Sequence, residues 1–301
     1  IIPGDKRDRT GSSGILRRFV AEIGRRWAGL TREAIEVFGR VRIITGNEAA
    51  DFRTVYALTP DEAAAVSYAL QQAVERWIAA GTDPAHRMWA TQYTAEAAQL
   101  GTAQSVANLT AISAAYAAER SLQSVLFSEA YRNRVAAAQV KSYDHWTQLS
   151  AEAKSELSQI IGRAIVDGKN PRAVVSEIRE RLDVSKSRAI GYAQTDITDT
   201  LRQARMAERD EAVEVLGLNI GLLWSSAFLP TTRPTHAARH GKNYTSAEVR
   251  DFYSKNGNRY RCHCSITEVL LDDEDRPILS KQARERMAKE KATWERENLG
   301  T

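Results

Sequence analysis

Leu218-Asn219-Ile220-Gly221-Leu222-Leu223-Trp224-Ser225-Ser226 is where a helical chain changes texture. The apolar run is too short for an ordinary helix and has the length of a buried strand. Downstream come Pro230 and Pro234 in an irregular loop, then Thr245-Ser246-Ala247-Glu248. That last quartet is a capping box, in which the Thr hydroxyl and the Glu carboxylate satisfy the first backbone amides of a helix. The helix should end near Asn256-Gly257, and Cys264 to Leu271 reads as a strand pairing with the first. Strand, loop, helix and strand make a small α+β module over 217–275. A charged helix, Ser280 to Glu297, fills most of 276–301 and has few core anchors, so it is expected to project or dock on a neighbour.

Upstream, 15–216 reads as a long helical body. Leu16, Phe19, Val20, Ile23, Trp27 and Leu30 recur at helical spacing. Thr59-Pro60-Asp61-Glu62 starts a second helix. Gly81 should close it and Asp83-Pro84 open another, giving a helical hairpin. Residues 87–141 are rich in Ala and free of Pro, as in closely packed helices, with a break expected at Gly101. Further helices are expected from Ser150 to Gly168, from Asn170-Pro171 to about Leu182, and from Ser185 to Val215. No segment of this body alternates as a strand does. Residues 1–14, with Gly4, Gly11, Ser12, Ser13 and Gly14, read as a flexible basic tail. The fold class is mainly α: a helical body, a small C-terminal α+β module and a charged terminal helix.

Composition narrows the function. With 301 residues, 43% apolar, 17 Gly and 7 Pro, the chain is neither disordered throughout nor collagen-like. That length is enough for one large domain or two modest ones with real cores, and it excludes a disulfide-stapled miniprotein. No apolar stretch approaches the roughly 18 residues of a membrane span. The opening residues lack the charged-then-apolar layout of a secretory signal, so use inside a cell, or in something assembled there, is expected. The net charge of +4 is unevenly spread. Residues 1–42 hold ten Lys or Arg against five acids, and 233–261 hold seven against two. Arg17, Arg18, Arg25, Arg26, Arg233 and Lys242 are therefore candidates for binding nucleic acid or an acidic partner. Ordinary solvated helix faces account for each patch equally well.

The chain has five histidines and two cysteines, and five of these seven residues fall within 29 positions: His236, His240, Cys262, His263 and Cys264. Imidazoles and thiolates are the ligand set of a structural zinc, and a small module gains from such a staple. His236 and His240 share a face only if their loop is helical. Two buried thiols with incidental histidines fit the same composition. Other catalytic patterns are missing. Gly39 to Gly46 lacks the Lys-Ser/Thr ending of a phosphate loop, and there is no G-x-S-x-G or H-E-x-x-H. No enzymatic activity is expected.

Trp224, Thr232-Arg233-Pro234-Thr235-His236, Gly241-Lys242 and Cys262-His263-Cys264, in this order, resemble the C-terminal signature of the phage Mu F-like head morphogenesis proteins, minor capsid proteins of tailed phages. Ser187 to Asp196 is similar to that family's R-A-x-x-I-A-R-T-E stretch, and Gly168-Lys169-Asn170 sits at its short Gly turn. The resemblance covers about 150–270. Leu229-Pro230 stand where the family has an Asp, and His240 where it has another acid. Gln194 and His263 each replace an Arg. The resemblance implies a low-copy structural protein of the virion, assembled in the host cytoplasm and placed at the portal vertex or in the capsid interior. Its implied partners are the portal protein, the major capsid or scaffolding protein, and phage DNA, with a part in genome ejection. His236, Cys262 and Cys264 would then supply three zinc ligands, with His240 or His263 the fourth. Two other readings remain: a zinc-dependent, nuclease-like hydrolase using the H-x3-H and C-x-C residues, and a nonspecific DNA-binding protein.

Overall fold

Helix α1, Ser13–Gly39, follows the apolar spacing read from the sequence, with Phe19, Ile23, Trp27 and Leu30 all buried. It belongs to a computed structural model that describes residues 8–44, 54–79 and 89–299. The stretch before α1 is not the loose tail expected from its glycines and serines, at least over 8–14. The Asp8 carboxylate accepts hydrogen bonds from the backbone amides of Ser12 and Ser13, each at 3.0 Å. Arg9 is buried against Glu290 at 2.5 Å, and Gln104 donates to the carbonyl of Thr10. Small polar residues here form a turn and a cap, which composition alone does not distinguish from flexibility. Residues 1–7 lie outside the described residues.

A short antiparallel hairpin, β1 (Arg42–Ile44) and β2 (Val55–Ala57), was not foreseen, because three residues per strand are too few to show an alternation. Helix α2, Pro60–Val74, has the expected Thr59–Glu62 capping box and runs into a π-helical turn, Glu75–Ala79. The hairpin expected at Gly81 and Asp83-Pro84 lies outside the described residues.

The long helices merge where the sequence reading divided them. Helix α3, Thr91–Ile112, passes through Gly101 without a break. A Cβ there would sit 2.7 Å from the carbonyl oxygen of Leu201, so the glycine serves a close approach between helices. After the short α4 (Ala114–Glu119) and α5 (Leu122–Leu126), α6 runs from Glu129 to Asp167 straight past Ser150. Helix α7, Pro171–Leu216, is continuous where a boundary near Leu182 was expected. Its buried positions Val174, Ile178, Leu182, Ser185, Ala189 and Ala193 keep one helical register across that boundary, so nothing ends the helix.

The chain divides into two compact units, neither continuous in sequence. One gathers 18–92 and 140–193. Its core holds Phe19, Trp27, Trp89 and Trp146, with Trp146 fully buried and its ring 4.8 Å from that of Trp89.

The other unit gathers 1–17, 93–139 and 194–301, and contains the module. Strand β3, Ile220–Ser225, lies between β4 (Asn243–Tyr244) and β5 (Ser265–Leu270), antiparallel to both. Leu222, Trp224 and Ile266 pack with Val249, Phe252 and Tyr253 and with Met206 of α7; the three module residues belong to α9, Ser246–Ser254. On the opposite face, Leu223 and Val269 meet Met287 of the terminal helix α10, Lys281–Leu299. Both faces of the strand are covered, hence its unbroken apolar run. Trp224 is core, as expected. Helix α10 does not project: Met287, Glu290 and Trp294 are buried.

Candidate functional site

After β3 the chain turns at Phe228, which has φ 52°, and reaches α8, Pro234–Ala237, a single turn carrying His236. Gly241, at φ 78°, reverses the chain so that its amide and the Lys242 carbonyl bracket Trp224 in the sheet. Past α9, three left-handed residues (Asn256, Gly257 and Arg261) bend the backbone into Cys262-His263-Cys264 and so into β5. Side chains two apart in extended chain share a face, so the C-x-C pair presents both thiols together.

Those thiols meet His236. Its Nδ1 lies 3.4 Å from Cys262 Sγ and 3.7 Å from Cys264 Sγ, all three residues are buried, and their ligand atoms lie within 4.8 Å of one another. Both cysteines are free. The phenol of Tyr253 is 3.3 Å from Cys262 Sγ, and the rings of Trp224 and Phe252 stand edge-on to the imidazole. The hydrogen bond with Cys264 holds the Cys262 thiol well below its ordinary range despite burial, helped by His236 and the Arg202 charge. Cys264, which keeps the proton, is pushed up by the same bond and by burial. Apolar surroundings push the Tyr253 phenol up as well.

The other predicted site residues go elsewhere. His240 is not a ligand beside His236, because α8 ends three residues before it. Its Nδ1 accepts the Ser226 amide at 2.9 Å, its Nε2 is 3.6 Å from Glu290, and its ring packs on Phe228. His263 pairs with the side chain of Gln194, and burial lowers its pKa. Arg233 is spent inside the module rather than offered to a polyanion. It donates to the carbonyls of Asn258 and Tyr260, both at 3.0 Å, and lies 3.3 Å from His236 Nε2. Arg26 is likewise internal, bonded to Glu22 and to the Trp77 carbonyl, over the Trp89 ring. Arg25 pairs with Glu22 but stays exposed, and Arg17, Arg18 and Lys242 are exposed.

Arg202 was missed. It is fully buried over the Tyr253 ring at 4.1 Å and 3.8 Å from Asp199, and it interacts electrostatically with both cysteines. Its guanidinium makes no hydrogen bond among the described residues. Its place on α7 between Leu201 and Arg205, both buried, was the available signal: an arginine on the core face of a helix. Beside the trio opens a pocket of about 360 Å³, lined also by Gln194, Thr231, Thr232, Arg261 and His263.

Residues 155–267 match the family described as Phage Mu protein F like protein. No curated protein and no solved structure matches the chain. The matched stretch takes in all of α7, the module as far as the start of β5, and His236, Cys262 and Cys264. Over these residues the chain is similar to the phage Mu F-like proteins, and that family suggests work in phage head morphogenesis.

Proposed function

We propose that the protein is a minor capsid protein of a tailed phage, present in few copies, and that it acts by binding rather than by catalysis. The observation that carries this reading is the family match over 155–267, which takes in the module from its first strand into β5. Its partners are the portal protein and the major capsid or scaffolding protein, and its place is the portal vertex or the inner face of the head. Exposed Arg17 and Arg18 favour a further contact with packaged DNA, the role read from the basic N-terminal region. A hydrolase built on the H-x3-H pair loses His240, whose ring nitrogens face Ser226 and Glu290.

The test is a phage deleted for this protein, examined by electron microscopy, with its position and copy number measured in intact wild-type particles. Aberrant or unfilled heads, or filled heads that fail to deliver DNA, are expected. Normal heads that fill and infect normally overturn the proposal. Arg17→Glu with Arg18→Glu should weaken DNA binding and flatten its salt dependence without unfolding the chain.

A further inference from the structure

We infer that His236 Nδ1, Cys262 Sγ and Cys264 Sγ are three ligands of a zinc ion whose fourth position opens on the adjoining pocket. The argument is independent of the role in head assembly. Zinc–sulfur bonds of about 2.3 Å and zinc–nitrogen bonds of about 2.0–2.1 Å, set tetrahedrally, separate sulfur from nitrogen by about 3.6 Å. The two separations found, 3.4 and 3.7 Å, bracket that value. The three donors converge from two separate loops and are buried, so an ion would enter a cage already formed. Two thiolates and one imidazole select a soft or borderline ion such as zinc over calcium or magnesium.

The surroundings fit the same ion. Zinc with two thiolates is electrically neutral, so Arg202 can balance Asp199 beside it without another counter-charge. Tyr253 against Cys262 helps to fix the orientation of that ligand. Among the described residues no fourth His, Cys, Asp or Glu joins the group. All three ligands line the pocket, together with Thr231, Thr232 and Arg261. Two hydroxyls and a guanidinium suit water or a small anion at the remaining coordination position.

The full chain is expressed with zinc, dialysed against a weak chelator and analysed for metal. One zinc per chain is expected, falling at least tenfold in His236→Ala and in Cys264→Ser, while His240→Ala and His263→Ala keep it. Equal zinc in wild type and Cys264→Ser, or none in wild type, overturns the site. Because Cys264→Ser can unfold the module, the wild-type chain is also loaded with cobalt. Tetrahedral cobalt bands with sulfur charge transfer are expected, and azide should shift them. Absence of the sulfur band overturns the ligand set. Bands indifferent to azide, or metal lost in His240→Ala or His263→Ala, overturn the open position.

Discussion

Glu268 offers the most exacting test of how the module is held. Its carboxylate sits in the middle of β5 at 2% exposure, where it accepts from Ser105 at 2.7 Å, Asn108 at 3.0 Å and Arg205 at 2.6 Å. Arg205 is itself buried. With charge centres about 4 Å apart and an effective dielectric constant of about 20, the attraction is about 4 kcal/mol. Glu268→Leu should therefore cost about 3–5 kcal/mol, because it leaves the guanidinium of Arg205 buried without its counter-charge. Arg205→Met should cost a similar amount from the other side. The double variant removes both charges and should be less damaging than the sum of the two, with a coupling of about 2 kcal/mol or more. Urea unfolding of the four proteins, followed by tryptophan fluorescence, measures that coupling. Additive losses, with a coupling below about 0.5 kcal/mol, would refute the view that the pair acts as one unit.

Three shorter tests probe other parts. Trp224→Ala should cost about 3–5 kcal/mol in thermal or urea unfolding, since the indole is fully buried against Phe252 and Tyr253; a loss under about 1 kcal/mol would count against its core role. Gly162→Ala in α6, where a Cβ meets nothing within 4 Å, should gain up to about 1 kcal/mol from helix propensity. Gly101→Ala should forfeit that gain to its clash with the Leu201 carbonyl, so equal stabilisation by both would disprove the close approach. Burial raises the Asp210 carboxyl, but the nearby Ser246 hydroxyl and hydrogen bonds from Arg250 and Arg209 outweigh this and hold it below its ordinary 3.8. Its contribution is complete above that ordinary value and is lost as pH falls through the lowered one. The acid-induced loss of stability should therefore shrink in Asp210→Asn.

The module was legible because each of its parts has a local signature. Trp224 ends an apolar run, Thr245 and Glu248 close a capping box that the structure reproduces, and C-x-C puts two thiols on one face. What stayed hidden depends on residues far apart in sequence. Glu268 reads as a solvent-facing charge in a strand until Ser105, Asn108 and Arg205 are seen around it. Arg9 looks like part of a polyanion-binding tail until Glu290 is found against it. The H-x3-H pair could share a face only in a helical loop, and whether the loop was helical was not legible; α8 is a single turn and the two imidazoles diverge. Helix ends placed at Gly101, Ser150 and Leu182 failed for a common reason. Local punctuation is weaker than a buried register that continues past it.

The unit that carries the site draws on three stretches far apart in sequence, around Arg9, Ser105 and Glu268, and this orders events during synthesis. Arg9 leaves the ribosome long before Glu290, its buried counterpart, and Ser105 and Asn108 long before Glu268. Contacts so distant in sequence form late and slowly. The nascent chain therefore cannot finish this unit until α10 has emerged. A chain cut short before α10 would leave Leu223 and Val269 without Met287, and Arg9 without Glu290, and should be open to proteolysis.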